Sequence, residues 1–330
     1  LSDNVLSDLD QSRLTHGNIH CSSTPRRIFL LIENLADKAD DFVEERKGPP
    51  ESQAFKNGSP AEAAIGFAKR CGLSPDELDI RETTKGSFVF AKIVEKGKPA
   101  KQLLIDLIPQ WIGNLQGRRF MRWSSGTRRF SRPVRWIISL LDDQLIPFTL
   151  ADCEPQVISS KKSRGHRLFK SSVTIPSASE YITALKNVGV QVDRKERRET
   201  IINLVKEASI LYKSSPYIPN DLLEELTDLV ELPSLISGKI DKEYLKLPPE
   251  VLTTVMRSHQ RYIPLYFSDQ LDSDPLSFDS QNTLNPSFLC ISNALPEAKA
   301  LVILGNERVL RARLSDAQFF VKADLAISSL

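Results

Sequence analysis

Prolines at both ends of one apolar stretch set the tightest limits on this chain. Leu247-Pro248-Pro249-Glu250 marks a helix start, because proline is tolerated where first-turn amides lack partners and a carboxylate is stabilised at the positive helix end. Leu252, Val255, Met256, His259 and Tyr262 recur at helical spacing, so one face is predicted to be buried with His259 on it. Arg257 and Arg261 lie one turn apart on another face, and Pro264 is expected to close the helix. Two readings fit this pattern. Either His259 is a satisfied core histidine beside a solvated arginine face, or Arg257, His259, Gln260 and Arg261 form an end that holds an anion.

A chain of 330 residues exceeds what one core usually organises, so two or more subdomains are expected, with a boundary near Leu145 to Asp152. We therefore divide it as 1–148 and 149–330. The content is 41% hydrophobic and 26% charged, an ordinary balance for a compact globular protein. A net charge of +2 means that any affinity for nucleic acid must come from local clustering of the 44 basic residues. Cys21, Cys71, Cys153 and Cys290 are widely spaced without a CxxC pair, which points to a reducing compartment. No apolar run reaches the roughly 18 residues that span a bilayer, since Asp106 and Arg135 interrupt the longest ones. No membrane association is expected. The chain starts at Leu1 without methionine, so a fragment that has lost a leader is one expectation.

Along the chain, helical and alternating segments succeed one another, predicting an α+β fold of several subdomains with mixed sheets and helices. Leu1 to Thr24 is polar and weakly periodic and reads as a mobile segment; His16 and His20 lack a third ligand, and no metal site is assigned. Arg27–Ile32 and Ser87–Ile93 read as strands, Lys47–Pro60 as a loop, and Ala61–Cys71 as a helix capped by Gly72. Gln102–Leu115 reads as a helix and Ile146–Ile158 as strands. Tyr181–Val188, Arg194–Tyr212 and Asn220–Val230 are expected helices, with Glu196, Arg197 and Arg198 on a wet face. Ser268–Pro286 reads as a long mobile loop and Phe288–Asn293 as a buried strand. A last helix opens at Gly305, with Leu310, Leu314, Ala317 and Val321 as its stripe and Arg313 able to pair with Asp316.

The strongest chemical signal lies between Gly117 and Trp136. Arg118, Arg119, Arg122, Arg128, Arg129, Arg132 and Arg135 interleave with Phe120, Trp123, Phe130 and Trp136, and no carboxylate occurs between Gly117 and Leu141. Guanidinium groups pair bidentately with phosphate and stack on rings, which suits an RNA backbone. Equally, the rings could be core and the arginines partners of carboxylates elsewhere, since Asp and Glu total 42. Arg164, His166 and Arg167 form a second basic group around Gly165, where a bare backbone permits close approach. No P-loop, nucleophile elbow, HExxH or GxGxxG is present, and no compact set combines phosphate donors with Mg²⁺-binding carboxylates. No catalytic residue is assigned.

Several of these segments together resemble the beta subunit of bacterial tetrameric glycyl-tRNA synthetase. Val230-Glu231-Leu232-Pro233 and Leu247–Pro264 are similar to the family's "LVEWP", "LPPEVL" and "HQRYFP", with Leu232 in place of tryptophan and Ile263 in place of phenylalanine. Ser23–Arg27, Gly48–Phe55, Pro60–Gly72, Lys85–Ala91, Met121–Trp123 and Phe130–Leu141 match further motifs in order. Gly165-His166-Arg167 matches "GHRF" up to Leu168, and Gly305–Phe320 is nearly the family's "GNERVLRARL" segment.

The resemblance implies an amino-terminal half truncated at both ends, without the family's early "GTEELP" strand, HD-like module or anticodon-binding domain. It implies a tRNA-binding and assembly role in a cytoplasmic heterotetramer with the alpha subunit and a second beta subunit. The fragment itself would bind no cofactor; ATP and Mg²⁺, with glycine activation, would belong to the alpha subunit. The middle region resembles an editing-type module, but no hydrolytic constellation is found and no editing activity is assigned. The tRNA-contact candidates are the seven arginines above with Arg164, His166, Arg167, Arg257, His259 and Arg261. The competing expectations are a purely structural subunit core and an RNA-binding module outside translation.

Overall fold

The computed structural model describes residues 1–56, 58–169, 171–267 and 283–326. Helices alternate with small separate sheets, the α+β arrangement expected. Contacts gather the chain into two compact units: Leu1–His20, Leu31–Arg135 and Ile146–Ile158 form one, and Cys21–Leu30, Trp136–Leu145 and Ser159–Leu330 the other. The units interleave in sequence, and contacts between distant segments of each unit hold them so. Arg27 is bound by Glu231 within the second unit, while the Asp152 carbonyl accepts the Thr127 and Arg128 N–H groups within the first.

In the first unit, the segment expected to be mobile instead contains a helix, α1 (Ser2–Gln11), whose Val5 and Leu9 are buried. The two apolar side chains are four residues apart and so share a face, too short a pattern to stand out in a polar segment. The unit's sheet comprises β1 (Phe42–Pro50), β2 (Leu78–Thr83) and β3 (Gly86–Glu95), antiparallel with β3 central. The expected Lys47–Pro60 loop is therefore strand as far as Pro50, followed by a helical turn, Glu51–Ala54. Prolines are accepted there because β1 is an edge strand whose register shifts between Lys47 and Pro50. Helix α2 (Glu62–Cys71) ends at Gly72, left-handed at φ 72°. It buries Ala64, Phe67 and Cys71 with Val89 and Ala91 on one sheet face. Helix α3 runs from Ala100 to Gly113.

The second unit is built on an antiparallel four-stranded sheet between two apolar layers. After earlier short strands and a helix at Tyr181–Lys186, the sheet and its layers begin with α4 (Arg194–Tyr212), β4 (Ser214–Pro216), α5 (Asn220–Leu229) and β5 (Ser234–Lys239). There follow α6 (Pro249–Thr254), β6 (Ile263–Phe267), β7 (Leu284–Ser292) and α7 (Lys299–Ala326). Strand order is β4-β6-β7-β5. Alternation sends Ile263, Leu265, Leu289 and Ile291 to the layer made by α4 and α5. Tyr262, Tyr266, Leu284 and Phe288 go to the layer holding Leu252, Met256, Leu310 and Leu314. The α7 stripe is as expected, with Ala317 and Val321 packed against the same layer. Of its arginines, however, Arg311 forms the close ion pair, to Asp241 at 2.6 Å. The part of the expected loop at 268–282 lies outside the described residues; from Leu284 the chain is strand.

One expectation about α4 fails. Arg197, placed on the wet face, is 0% exposed and donates to the carbonyls of Ser23, Gln191, Val192 and Thr227. Burial lowers the pKa of its guanidinium, opposed by the nearby Asp228 charge. Four carbonyl acceptors explain how a cation is held inside without a carboxylate bonded to it.

Candidate nucleic-acid interface

After α3 the chain makes a short hairpin, pairing Met121 with Phe130 and Arg122 with Arg129. The Phe120 and Phe130 rings meet at 4.9 Å and hold its two arms together. Gly117 allows this, because a Cβ there would lie 2.2 Å from the Phe120 ring. Ser124, at φ 51°, takes the left-handed conformation that turns the hairpin. Arg128 lies against Asp152, with Nη2 donating to Oδ1 at 3.0 Å and Nε 2.8 Å from Oδ2 as an ion-pair contact. Its side chain is 12% exposed, and this residue follows the structural reading.

The other six differ. Arg118, Arg119, Arg122, Arg129, Arg132 and Arg135 are exposed, and none has a carboxylate partner among the described residues. Arg129 donates instead to the Phe120 carbonyl at 3.3 Å. Six uncompensated guanidiniums within eighteen positions concentrate positive potential, since unlike-charged side chains that would neutralise it are absent from the segment.

In the second unit, the half-buried indole of Trp136 has three guanidiniums around it, those of Arg26 and Arg27 at 5.7 Å and of Arg164 at 5.1 Å. Glu231, 1% exposed, binds Arg27, lies 3.5 Å from Arg26 and accepts the Thr24 hydroxyl at 2.7 Å. Arg27 also donates to the Arg164 carbonyl at 2.8 Å. Burial pulls the Arg27 guanidinium below its ordinary pKa while the Glu231 charge opposes the shift. Arg164 and Arg167 are exposed, whereas His166 is 1% exposed. Its Nδ1 accepts from the Leu168 amide at 3.4 Å, and its Nε2 has no protein partner. His166 is therefore an interior residue, unlike Arg164 and Arg167.

The stretch from Leu247 departs from its expected geometry. Helix α6 gives way at Val255 to a π-turn through His259. The wider turn carries more residues per revolution than 3.6, so positions after Met256 lose phase with Leu252. His259 is consequently exposed, contrary to its expected core position. Arg261 then takes φ 54°, and the Tyr262 amide closes back on the Met256 carbonyl at 3.0 Å. Tyr262 is buried because the chain has left the helix, and Pro264 lies in β6 rather than terminating α6. Arg261 pairs with Glu225 at 2.7 Å. Arg257 stacks over the Tyr217 ring at 4.6 Å and donates to its hydroxyl at 3.2 Å, leaving a buried Nε unpartnered.

Thus the thirteen sequence candidates do not form one constellation. The hairpin arginines cluster locally; Arg164 and Arg167 are a second exposed pair; Arg128 and Arg261 are bound to carboxylates. Sequence reasoning passed over Arg26, Arg27 and Glu231 as a unit, because their partnership joins positions about two hundred residues apart. Glu231 between Val230 and Leu232 was the available signal: a carboxylate among apolar residues has to find a buried partner. Among the described residues no group of three or more His, Cys, Asp or Glu side chains is arranged to hold a metal ion, and no helix is long and apolar enough to cross a membrane.

Fold and surface together define a class: an α+β protein with locally concentrated, uncompensated arginines beside aromatic rings. Comparison with known proteins makes the class specific. A family model described as "Glycyl-tRNA synthetase beta subunit" matches residues 1–329, and the chain belongs to that family. It is 43% identical over 321 residues to the glycine–tRNA ligase beta subunit of Gloeothece citriformis, covering 97% of this chain and 44% of that protein. It is 41% identical over 308 residues to the Synechocystis sp. protein of the same name, covering 93% of this chain and 41% of the relative. With the Listeria monocytogenes counterpart identity is 36% over 329 residues, 99% of this chain and 45% of the relative. The chain spans less than half the length of these curated relatives.

Proposed function

We propose that this chain is the tRNA-contacting and assembling part of a glycyl-tRNA synthetase beta subunit, working without a catalytic centre of its own. The carrying observation is the set of six exposed hairpin-region arginines without carboxylate partners. Phosphate oxygens satisfy such groups with charge-assisted, often bidentate hydrogen bonds. Arg164 and Arg167, also exposed, add further donors. Glycine activation with ATP and Mg²⁺ is assigned to the alpha subunit, which this chain would join with a second beta subunit in the cytoplasm. The structural-core reading is favoured for Arg128, Arg27 and Arg261, whose carboxylate partners are in place.

A hydroxyl-radical footprint of tRNA on the complete alpha–beta enzyme tests the proposal. Protection at residues 118–135 when tRNA is present is the expected result. Equal cleavage there with and without tRNA, at saturating tRNA, would overturn it.

A further inference from the structure

The sheet of the first unit is covered on one face and open on the other. Val89 and Ala91 face the α2 layer, so by strand alternation Phe88, Phe90, Lys92 and Val94 of β3 face the opposite way. The register puts Val43, Glu45 and Lys47 of β1, with Asp79 and Arg81 of β2, on that second face. None of these residues is buried.

This face carries an ordered pattern. Phe88 and Phe90 stand two positions apart on the central strand, about 7 Å, which is the order of one step along an extended nucleotide strand. The Lys47 ammonium lies over the Phe88 ring, 3.5 Å from its centroid, and the Arg81 guanidinium lies 5.4 Å from that of Phe90. Both contacts run diagonally across the ladder, since Lys47 is opposite Phe90 and Arg81 opposite Phe88. Arg81 is engaged by both acids of the face, bidentately by Glu45 at 3.0 and 3.1 Å and by Asp79 at 3.2 Å. The Arg81 hydrogen bond lowers the Glu45 carboxyl pKa. Lys47 and Lys92 have no carboxylate partner among the described residues. Lys92, opposite Glu45 in the register, shares that carboxylate's field, so the face offers two rings and one ammonium, that of Lys47, with no carboxylate against it.

We infer that this open face binds single-stranded RNA, with unpaired bases stacking on Phe88 and Phe90 and the intervening phosphate held by Lys47. Stacking needs exposed base faces, which a duplex hides; sheet-borne rings flanked by cations are suited to splayed bases. Charge favours this occupant over an apolar protein surface, which would leave the Lys47 ammonium unpaired on desolvation. The inference is independent of the arginine hairpin.

The test compares binding of a short oligouridylate and a blunt RNA duplex of equal phosphate number to the full-length subunit in its complex. Phe88→Leu and Phe90→Leu keep apolar volume and remove the ring face, and Phe88→Tyr and Phe90→Tyr restore it. Each leucine variant is expected to weaken oligouridylate binding roughly 5- to 150-fold, with duplex binding and melting temperature unchanged and affinity recovered in the tyrosine variants. Lys47→Gln should flatten the salt dependence of oligouridylate binding by about 0.7 in slope. Unchanged oligouridylate affinity in both leucine variants would overturn the inference, as would photocrosslinks from position 88 that reach only protein. Because Phe88 and Phe90 are separate from the arginines, loss of tRNA protection at 118–135 with intact oligouridylate binding would fail the earlier proposal alone.

Discussion

Replacing Glu231 with glutamine removes one charge from the interior of the second unit with almost no change in shape. The carboxylate is 1% exposed and faces Arg27, whose side chain is 3% exposed, and Arg26, at 22%. Glutamine keeps an acceptor for Thr24 and leaves no cavity, so the loss is electrostatic. Arg27 keeps its bond to the Arg164 carbonyl, but its Nε is already unpartnered. Removing one member of a buried ion pair costs about 3–5 kcal/mol because the other remains charged in a low-dielectric site. At about 2–4 °C per kcal/mol for a unit of this size, the melting temperature should fall by roughly 6–20 °C. Urea unfolding followed by tryptophan fluorescence, to which Trp136 beside this network contributes, measures the change. Arg27→Gln in the same background should recover part of the loss, giving a coupling energy of about 1 kcal/mol or more. A single Glu231→Gln variant within about 0.5 kcal/mol of the parent, or strict additivity in the double variant, would refute the network as described.

Three further outcomes follow from the packing and the charges. Gly238→Ala puts a Cβ 2.4 Å from the Phe288 ring, which is stacked on Tyr262, and should destabilise by about 1–3 kcal/mol in urea unfolding; a neutral result would mean that the ring layer yields freely. Burial pushes the Cys290 thiol up to about 12, while Cys21 is exposed, so mass spectrometry after iodoacetamide treatment at pH 8 should find Cys21 alkylated well before Cys290; equal rates in native protein would contradict this burial. Hydrogen bonds from Arg198 and then Arg194 depress the Glu224 carboxyl, so its contribution is present above the ordinary carboxylate pKa of about 4.3 and is lost as pH falls through the lower folded value. Removing both arginines should make the acid loss of stability shallower, and an unchanged pH profile would count against that linkage.

Much of the fold was legible where local periodicity and capping agree. Arg194–Tyr212 has the helix bounds read from the sequence, Gly72 ends its helix in the left-handed conformation, and the Leu310–Leu314 stripe is buried. Features set by distant partners were not legible. Arg197 has the spacing of a surface residue and is buried because four carbonyls from three segments converge on it. His259 fits a 3.6-residue stripe, but the π-turn at Val255–His259 rotates it into solvent. The arginine stretch was visible from composition alone, yet only packing separates Arg128, tied to Asp152, from its six neighbours.

Salt dependence of tRNA binding to the complete enzyme, measured beside melting temperature for single glutamine substitutions, tests the central claim most directly. At Arg118, Arg119, Arg122, Arg129, Arg132 and Arg135, each lost phosphate contact should reduce the slope of log affinity against log salt by about 0.7–0.9, with melting temperature unchanged. Arg128→Gln should instead lower the melting temperature and leave the slope in place, since its guanidinium is committed to Asp152. A fall in melting temperature with an unchanged slope at all six exposed arginines would contradict the account.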